Sequence, residues 1–497
     1  MLPTRLHAKS VAFAKHAAQI DAWWKRSRWA NVQRDWTADD IVRLRGSQEP
    51  IEYASNRMAK KFWNQIDLAQ AIKECKYTFG ALDPIQVVQM AKYLDTVYVS
   101  GWQSSSTASS NNLCGPDLAD YPMDTVPRKV NQLFRALEFH DRKQFAANDN
   151  AVDFLNPIIA DADTGHGGVT AVMKLTQMMV EAGAAGIHIE DQRGGAKKCG
   201  HLGGKVLCST REHISRLKAA RLQTDIMGTD TVLIARTDAK SARLLDNDID
   251  ETDKAYMLGS CRYSEVPVTF HRAVELHLQT APETDLLIPR NAALGKWYAF
   301  HNEEHLKDFG IDKAVDWEPI RTVEGYYQIE CGLQLAIDRA VAFAPHSDVL
   351  WCEFDTSSLE DAKLFADGVF AKHPTAKLAI NNSPSFNWSQ SGLTDEELRN
   401  YHKSLGEMGY VWSFITLAGF HVDGLAIDRF SLDFAQNSML AYTQNVQNME
   451  RYHEVELLTH QKWSGSELID LSMKTVMGTD FSTAASGGDC TESQFKE

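Results

Sequence analysis

The sequence predicts a (β/α)8 barrel. Eight short apolar runs recur along the chain, each followed by polar residues and then by a helical pattern. Apolar runs of this kind are what parallel strands covered on both faces look like. In such a barrel the functional residues sit at the C-terminal strand ends, and that is where the polar residues fall here. A doubly wound sheet is the rival architecture, but it does not naturally put polar clusters after nearly every strand.

The runs come in order. Thr78–Leu82 precedes a helix containing Val87, Val88 and Met90. Val97-Tyr98-Val99 leads into Ser100-Gly101-Trp102, and Pro157–Ala160 into Asp161 and Asp163. Ala185–Ile189 leads into Glu190 and Asp191, Val232–Ala235 into Arg236, and Val349–Cys352 into Glu353. Leu378-Ala379-Ile380 leads into Asn381 and Ser383, and Trp412–Ile415 into Thr416. Ser209 with Glu212, and Thr394 with Glu397, have capping-box spacing. Leu398, Tyr401, Leu405 and Met408 mark one helical face. Residues 1–75 read as a helical extension with Trp-rich packing, and 76–425 as the barrel. Residues 260–316 break the rhythm as an inserted helical subdomain, and 426–497 read as C-terminal helices with a Gly/Ser/Thr-rich tail.

Composition narrows the function. The chain has 497 residues, 44% of them hydrophobic, enough for a large core. No apolar run approaches the roughly 20 residues of a membrane span. A net charge of −15 argues against nucleic-acid binding, which needs a basic surface. Eight scattered cysteines with no C-x-x-C pair suggest neither a structural zinc site nor a disulfide framework, and fit a reducing compartment. Residues 1–20 carry Arg5, Lys9 and Lys15 and no acid, as in a weak mitochondrial presequence or a basic N-terminal helix. The helix, and a cytoplasmic location, is the preferred reading. The C-terminus lacks the S-K-L address.

The most informative stretch is Lys197-Lys198-Cys199-Gly200-His201. It puts a thiol between two ammonium groups and an imidazole, and cationic neighbours favour the thiolate. The alternative is a basic surface turn with a packed cysteine. Asp161 and Asp163, two apart, point the same way on a continuing strand. With Glu190, Asp191 and Glu353 on nearby strands they suit a hard divalent cation such as Mg²⁺. Thr164–Gly168 offers backbone amides at a helix start, an anion-binding device. Gly200–Lys205 is not a P-loop, because Val206 stands where Ser or Thr is needed. Arg236 either clamps a carboxylate or forms a salt bridge with Glu190 or Asp238. Asn381, Ser383, Ser385 and Thr416 offer neutral donors for a second carboxylate. His188, inside an apolar run, reads as a core histidine.

These motifs resemble the isocitrate lyase family. Lys197–Leu202, Ser100–Gln103, Asp161–Gly165, Ile234–Asp238, Ser383–Trp388 and Thr416–Gly419 carry the likeness, which runs from about Trp23 to Phe495. The 260–316 insertion resembles a shortened form of the one in plant and fungal members. The resemblance implies a Mg²⁺-dependent enzyme (with Mn²⁺ as a substitute), a small tricarboxylate substrate, and a homotetramer with exchanged C-terminal helices. It implies that Ser100, Gly101 and Trp102 bind glyoxylate and that Arg236 contacts its carboxylate. Gly200, Glu353, Asn381, Ser383, Ser385 and Thr416 would complete the substrate contacts. Asp117 and Asp161 would hold the metal, with Asp163 and Glu190 nearby. Cys199 would be the general acid supported by His201, and Tyr98 the base. Asn382 stands where many members have Cys or Leu, and His166 replaces the Phe of bacterial members. These departures leave 2-methylisocitrate lyase as the alternative activity. A non-catalytic barrel, or a phosphotransferase or mutase of the same superfamily, is disfavoured by the joint presence of Cys199, Arg236 and the acids.

Overall fold

In the computed structural model, residues 2–300, 306–479, 481–487 and 490–495 are described. Eight strands form the central sheet: β1 Lys76–Phe79, β2 Val97–Val99, β3 Ile158–Asp161, β4 Ala184–Glu190, β5 Val232–Thr237, β6 Val349–Cys352, β7 Leu378–Asn381 and β8 Tyr410–Ile415. The order is β1-β8-β7-β6-β5-β4-β3-β2, and every pair is parallel. The ring closes between β1 and β2 through the parallel bridge of Gly80 to Tyr98. The predicted barrel is therefore observed, and the doubly wound sheet is not. Every residue of β2 to β7 is buried, which is why these segments lack alternation.

Aromatic side chains fill the barrel. Tyr98 stacks on Phe414 at 4.3 Å between ring centroids, and Trp351 meets Phe414 at 5.0 Å and His188 at 4.7 Å. The helix Ala54–Ile72 buries Met58, Ala59, Phe62, Ile66 and Ala69, an i, i+4 stripe. Its Phe62 meets Trp412 of β8 edge-on at 5.6 Å. The N-terminal segment is clasped by ion pairs: Arg28 and Arg221 both reach Asp348, at 2.7 and 2.6 Å. Arg34 reaches Asp225 at 2.8 Å. Burial opposes the Asp348 charge, but Arg221 and Arg28 hold its carboxyl well below the usual range.

Three local readings change. Thr394 and Glu397 form the full reciprocal cap, whereas Ser209 accepts from the Glu212 amide while the Glu212 carboxylate turns to Arg216. The insertion is not wholly helical. It opens with an antiparallel hairpin, Leu258–Cys261 with Ser264–Thr269, before the helices Phe270–Thr280 and Arg290–Phe300. Phe270, Val274, Trp297 and Phe309 give it a small core of its own. After β8 a helix runs unbroken over Ala418–Asn437, straight across residue 425.

Candidate active site

A cavity of about 360 Å³ lies at the C-terminal ends of the strands. Of the residues singled out from sequence, Tyr98, Ser100, Trp102, Asp117, Asp161, Cys199, Gly200, His201, Arg236, Glu353, Asn381, Ser383, Ser385 and Thr416 all line it. Gly101, Asp163 and Glu190 stand behind that wall. Larger hollows of about 510 and 600 Å³ lie elsewhere, beside Trp63 and Trp463, and touch none of these residues.

Ser100 caps the helix Gly101–Thr107 by accepting from the Gln103 amide. That turn brings the Gly101 amide to Asp161 Oδ2 at 3.1 Å. A Cβ on Gly101 would sit 2.9 Å from the same oxygen, so the close approach needs glycine. Asp163 does not continue the strand. Its φ of 48° begins a left-handed turn, and its own amide donates to Asp161 Oδ1 at 2.8 Å. The two carboxylates therefore converge through a turn and not through strand pleating. The Thr164–Gly168 stretch serves that turn: His166 Nε2 lies 3.4 Å from Asp163 Oδ2, and none of the five residues reaches the cavity.

Asp117, Asp161 and Asp163 bring carboxylate oxygens within 4.8 Å of one another. Lys197 Nζ sits among them, 2.6 Å from Asp117 and 2.7 Å from Asp163. Burial pushes Asp117 up to about 7 against the pull of Lys197. Burial and the adjacent Asp163 push Asp161 up to about 6. Burial opposes the Lys197 ammonium too, yet Asp117 and Asp163 hold its pKa well above the ordinary value. Glu190 turns to Arg236, at 2.9 Å, and comes no nearer Lys197 than 3.7 Å. Asp191 is not part of this cluster; it is taken by Arg339, Thr237 and the Asp238 amide.

The thiol departs from the sequence reading. Lys197 is committed to the acids, and burial pushes Cys199 up to about 11. Cys199 is a protonated thiol at neutral pH, not a thiolate. Gly200 seats the loop on the cavity floor, where a Cβ would meet Arg236 Nη2 at 2.6 Å and Glu353 Cγ at 2.7 Å. His201 Nε2 and Asn381 Nδ2 both reach Glu353 Oε1, at 3.1 and 3.0 Å. Arg236 lines the cavity and also holds Asp238 through Nε at 3.1 Å, Glu190, and Glu353 at 3.4 Å. The salt-bridge reading is therefore observed, with Glu190, Asp238 and Glu353 as the partners.

His188 is in the core as expected, but its Nε2 lies 3.0 Å from the Tyr98 hydroxyl and 3.5 Å from Asp161 Oδ1. Burial holds Tyr98 well above, and His188 well below, their ordinary values, so both rest neutral. Asn382 points away from the cavity, its Nδ2 3.3 Å from His402 Nε2. Sequence reasoning missed Leu202, Pro384, Leu417, Phe420 and His421 in the wall, and Tyr121 on Asp163. The run Thr416–His421 could have signalled three of them, since it continues past a strand end into a helix start.

The isocitrate lyase family model matches residues 16–271 and 305–495. The chain belongs to the isocitrate lyase family. The break in the match falls inside the insertion. Similar proteins include the isocitrate lyase of Pinus taeda, 42% identical, with 100% of this chain and 95% of that one covered. The isocitrate lyase of Saccharomyces cerevisiae is 43% identical, with 97% and 95% covered. The mitochondrial 2-methylisocitrate lyase of Hypocrea atroviridis is more distant, 35% identical with 98% and 95% covered.

Proposed function

We propose that this protein cleaves isocitrate to glyoxylate and succinate by a metal-assisted retro-aldol reaction. The observation that carries the reading is the convergence on one cavity of Asp117 and Asp161, backed by Asp163, with Arg236 and the protonated Cys199 thiol. The greater likeness to isocitrate lyases than to 2-methylisocitrate lyases favours isocitrate as substrate. The outward direction of Asn382 removes one reason to prefer the methylated substrate.

The donor set fits a hard dication. Three carboxylates face one ammonium, and burial opposes the ionisation of Asp117 and Asp161. Such oxygens suit Mg²⁺, with Mn²⁺ as a substitute. Asp117 and Asp161 would hold it, with Asp163 and Glu190 behind them. When bound, the ion supplies positive charge beside the C2 oxygen as that oxygen becomes negative.

In this scheme Ser100 and Trp102 hold the glyoxylate end and Arg236 its carboxylate, while Gly101, expected among these contacts, instead steadies Asp161 from behind the wall. Asn381, Ser383, Ser385 and Thr416 hold the succinate end, with Gly200 and Glu353 completing the floor. Tyr98 is the base we assign to the C2 hydroxyl proton; to act so it must first pass its own proton to His188 Nε2, 3.0 Å away, against the burial that keeps both rings neutral. The C2–C3 bond breaks, its electron pair stays on C3, and the Cys199 thiol gives C3 a proton. A thiol held at about 11 is loaded for that step. His201 steadies the loop through Glu353.

We further propose a homotetramer with exchanged C-terminal helices. Val422, Leu425 and Ile427 are 62%, 66% and 57% exposed on the helix after β8, and a second copy of the chain would cover them. The cytoplasm is the compartment we assign. Ala17 and Ile20 of the first helix pack with Ile41 and Val42, which ties the C-terminal half of that helix to the fold. No helix among the described residues is long and apolar enough to cross a membrane. The test is a paired assay with Mg²⁺, comparing kcat/KM for isocitrate and 2-methylisocitrate from glyoxylate and pyruvate release. Preference for the methylated substrate would overturn the reading.

A further inference from the structure

Lys205 is a buried cation to which the reaction scheme gives no task. Its side chain is 2% exposed. Its ammonium donates to three oxygens: the Gly200 carbonyl at 2.6 Å, the Ser241 hydroxyl at 2.6 Å and Asp238 Oδ1 at 3.0 Å. The partners come from different parts of the site. Gly200 lies between Cys199 and His201. Asp238 holds Arg236 through two hydrogen bonds, at 3.1 and 3.2 Å. Ser241 follows β5, on the segment leading to the insertion.

On the other side of the thiol, Gln192 brackets Lys198. Its Nε2 donates to the Lys198 carbonyl at 2.8 Å, and its Oε1 accepts from the Lys198 amide at 2.9 Å. The cysteine loop is therefore pinned immediately before and immediately after Cys199. The pin after it holds a residue that packs so closely that an added Cβ would meet Arg236 Nη2 and Glu353 Cγ.

We propose that Lys205 is a positioning residue for the proton donor. Its ammonium latches the Gly200 carbonyl to the Asp238–Arg236 pair and so fixes where the Cys199 thiol stands over the cavity. Lys205 does not line the cavity, so it acts through Gly200 and not on the substrate. The proposal rests on the reading of Cys199 as the proton donor.

The test is Lys205→Met, which keeps the length of the side chain and removes its three donors. With isocitrate and Mg²⁺, kcat should fall by about 100-fold, the order expected when a reacting group is misplaced by about 1 Å, with KM little changed. Iodoacetamide labelling, followed peptide by peptide, should quicken at Cys199 alone and leave the buried Cys208 and Cys352 as slow as in the parent. A parental kcat, or parental labelling of Cys199, overturns the latch. So does a joint rise at all three cysteines, which would mean general loosening. If Lys205→Met does not fold, Ser241→Ala, which removes one partner, decides by the same labelling comparison. The labelling needs no turnover, so it stands even if the parent proves not to cleave isocitrate.

Discussion

The sequence and the structure make opposite statements about the ionisation of Cys199, and a titration separates them. The flanking Lys197, Lys198 and His201 suggest a depressed pKa. The structure turns Lys197 into the acid cluster, and burial raises the thiol from 9.0 to about 11. A hundredfold lower thiolate population near neutral pH corresponds to about 2.7 kcal/mol, at 1.36 kcal/mol per tenfold. The assay is the rate of carbamidomethylation of the Cys199 peptide against pH, with the exposed Cys114 as an accessible reference in the same chain. The rate at Cys199 should keep climbing to roughly pH 10 without a plateau, because only the thiolate reacts. A plateau near neutral pH would refute the argument that burial outweighs the cationic neighbours. Cys199→Ser should then retain substrate binding with Mg²⁺ and lose turnover by orders of magnitude. A serine hydroxyl is a far weaker acid than even this raised thiol. Near-normal turnover would remove the cysteine from its role.

Other outcomes follow from the same geometry. Asp161→Asn should abolish turnover and also abolish any rise in melting temperature on adding Mg²⁺; a retained Mg²⁺ shift would place the ion elsewhere. Asp348→Ala strands Arg28 and Arg221 without their shared partner and should cost about 3–5 kcal/mol in a denaturant titration. His140 is held down to about 4 by burial, against 6.5 ordinarily. Between those values the unfolded chain binds a proton that the folded chain refuses, so stability falls as pH drops through that window. His140→Phe should flatten that part of the melting-temperature profile, and an unchanged slope would show that other groups set it. Asn382→Leu should leave the ratio of kcat/KM for isocitrate and 2-methylisocitrate unaltered, because the Asn382 side chain faces His402. A changed ratio would bring that position back into the specificity question.

The barrel was legible because its strands are buried on both faces. Runs such as Ile158–Ala160 and Val232–Ala235 cannot alternate and still pack, so the pattern survives in one dimension. The placement of polar residues after each run was legible for the same reason: strand ends are where a barrel has room for them. The hairpin Leu258–Thr269 was hidden because its second strand has no buried residue and is interrupted by Pro267, which weakens the periodic signal.

By itself, the sequence determined which residues meet at the mouth of the barrel, since strand order and strand length bring Ser100, Asp161, Glu190, Arg236, Glu353 and Asn381 to one end. It did not determine their electrostatic state. Whether Lys197 lowers the thiol or pairs with acids depends on which way one side chain turns, and only the packed site settles it at 2.6 Å from Asp117. The same holds for His188 beside Tyr98, for Asn382 turned to His402 and away from the cavity, and for Lys205 gathering oxygens of Gly200, Asp238 and Ser241. The apolar pattern of a strand repeats along the chain and can be read there. Charges, by contrast, act through a distance and a degree of burial that exist only once the chain has folded.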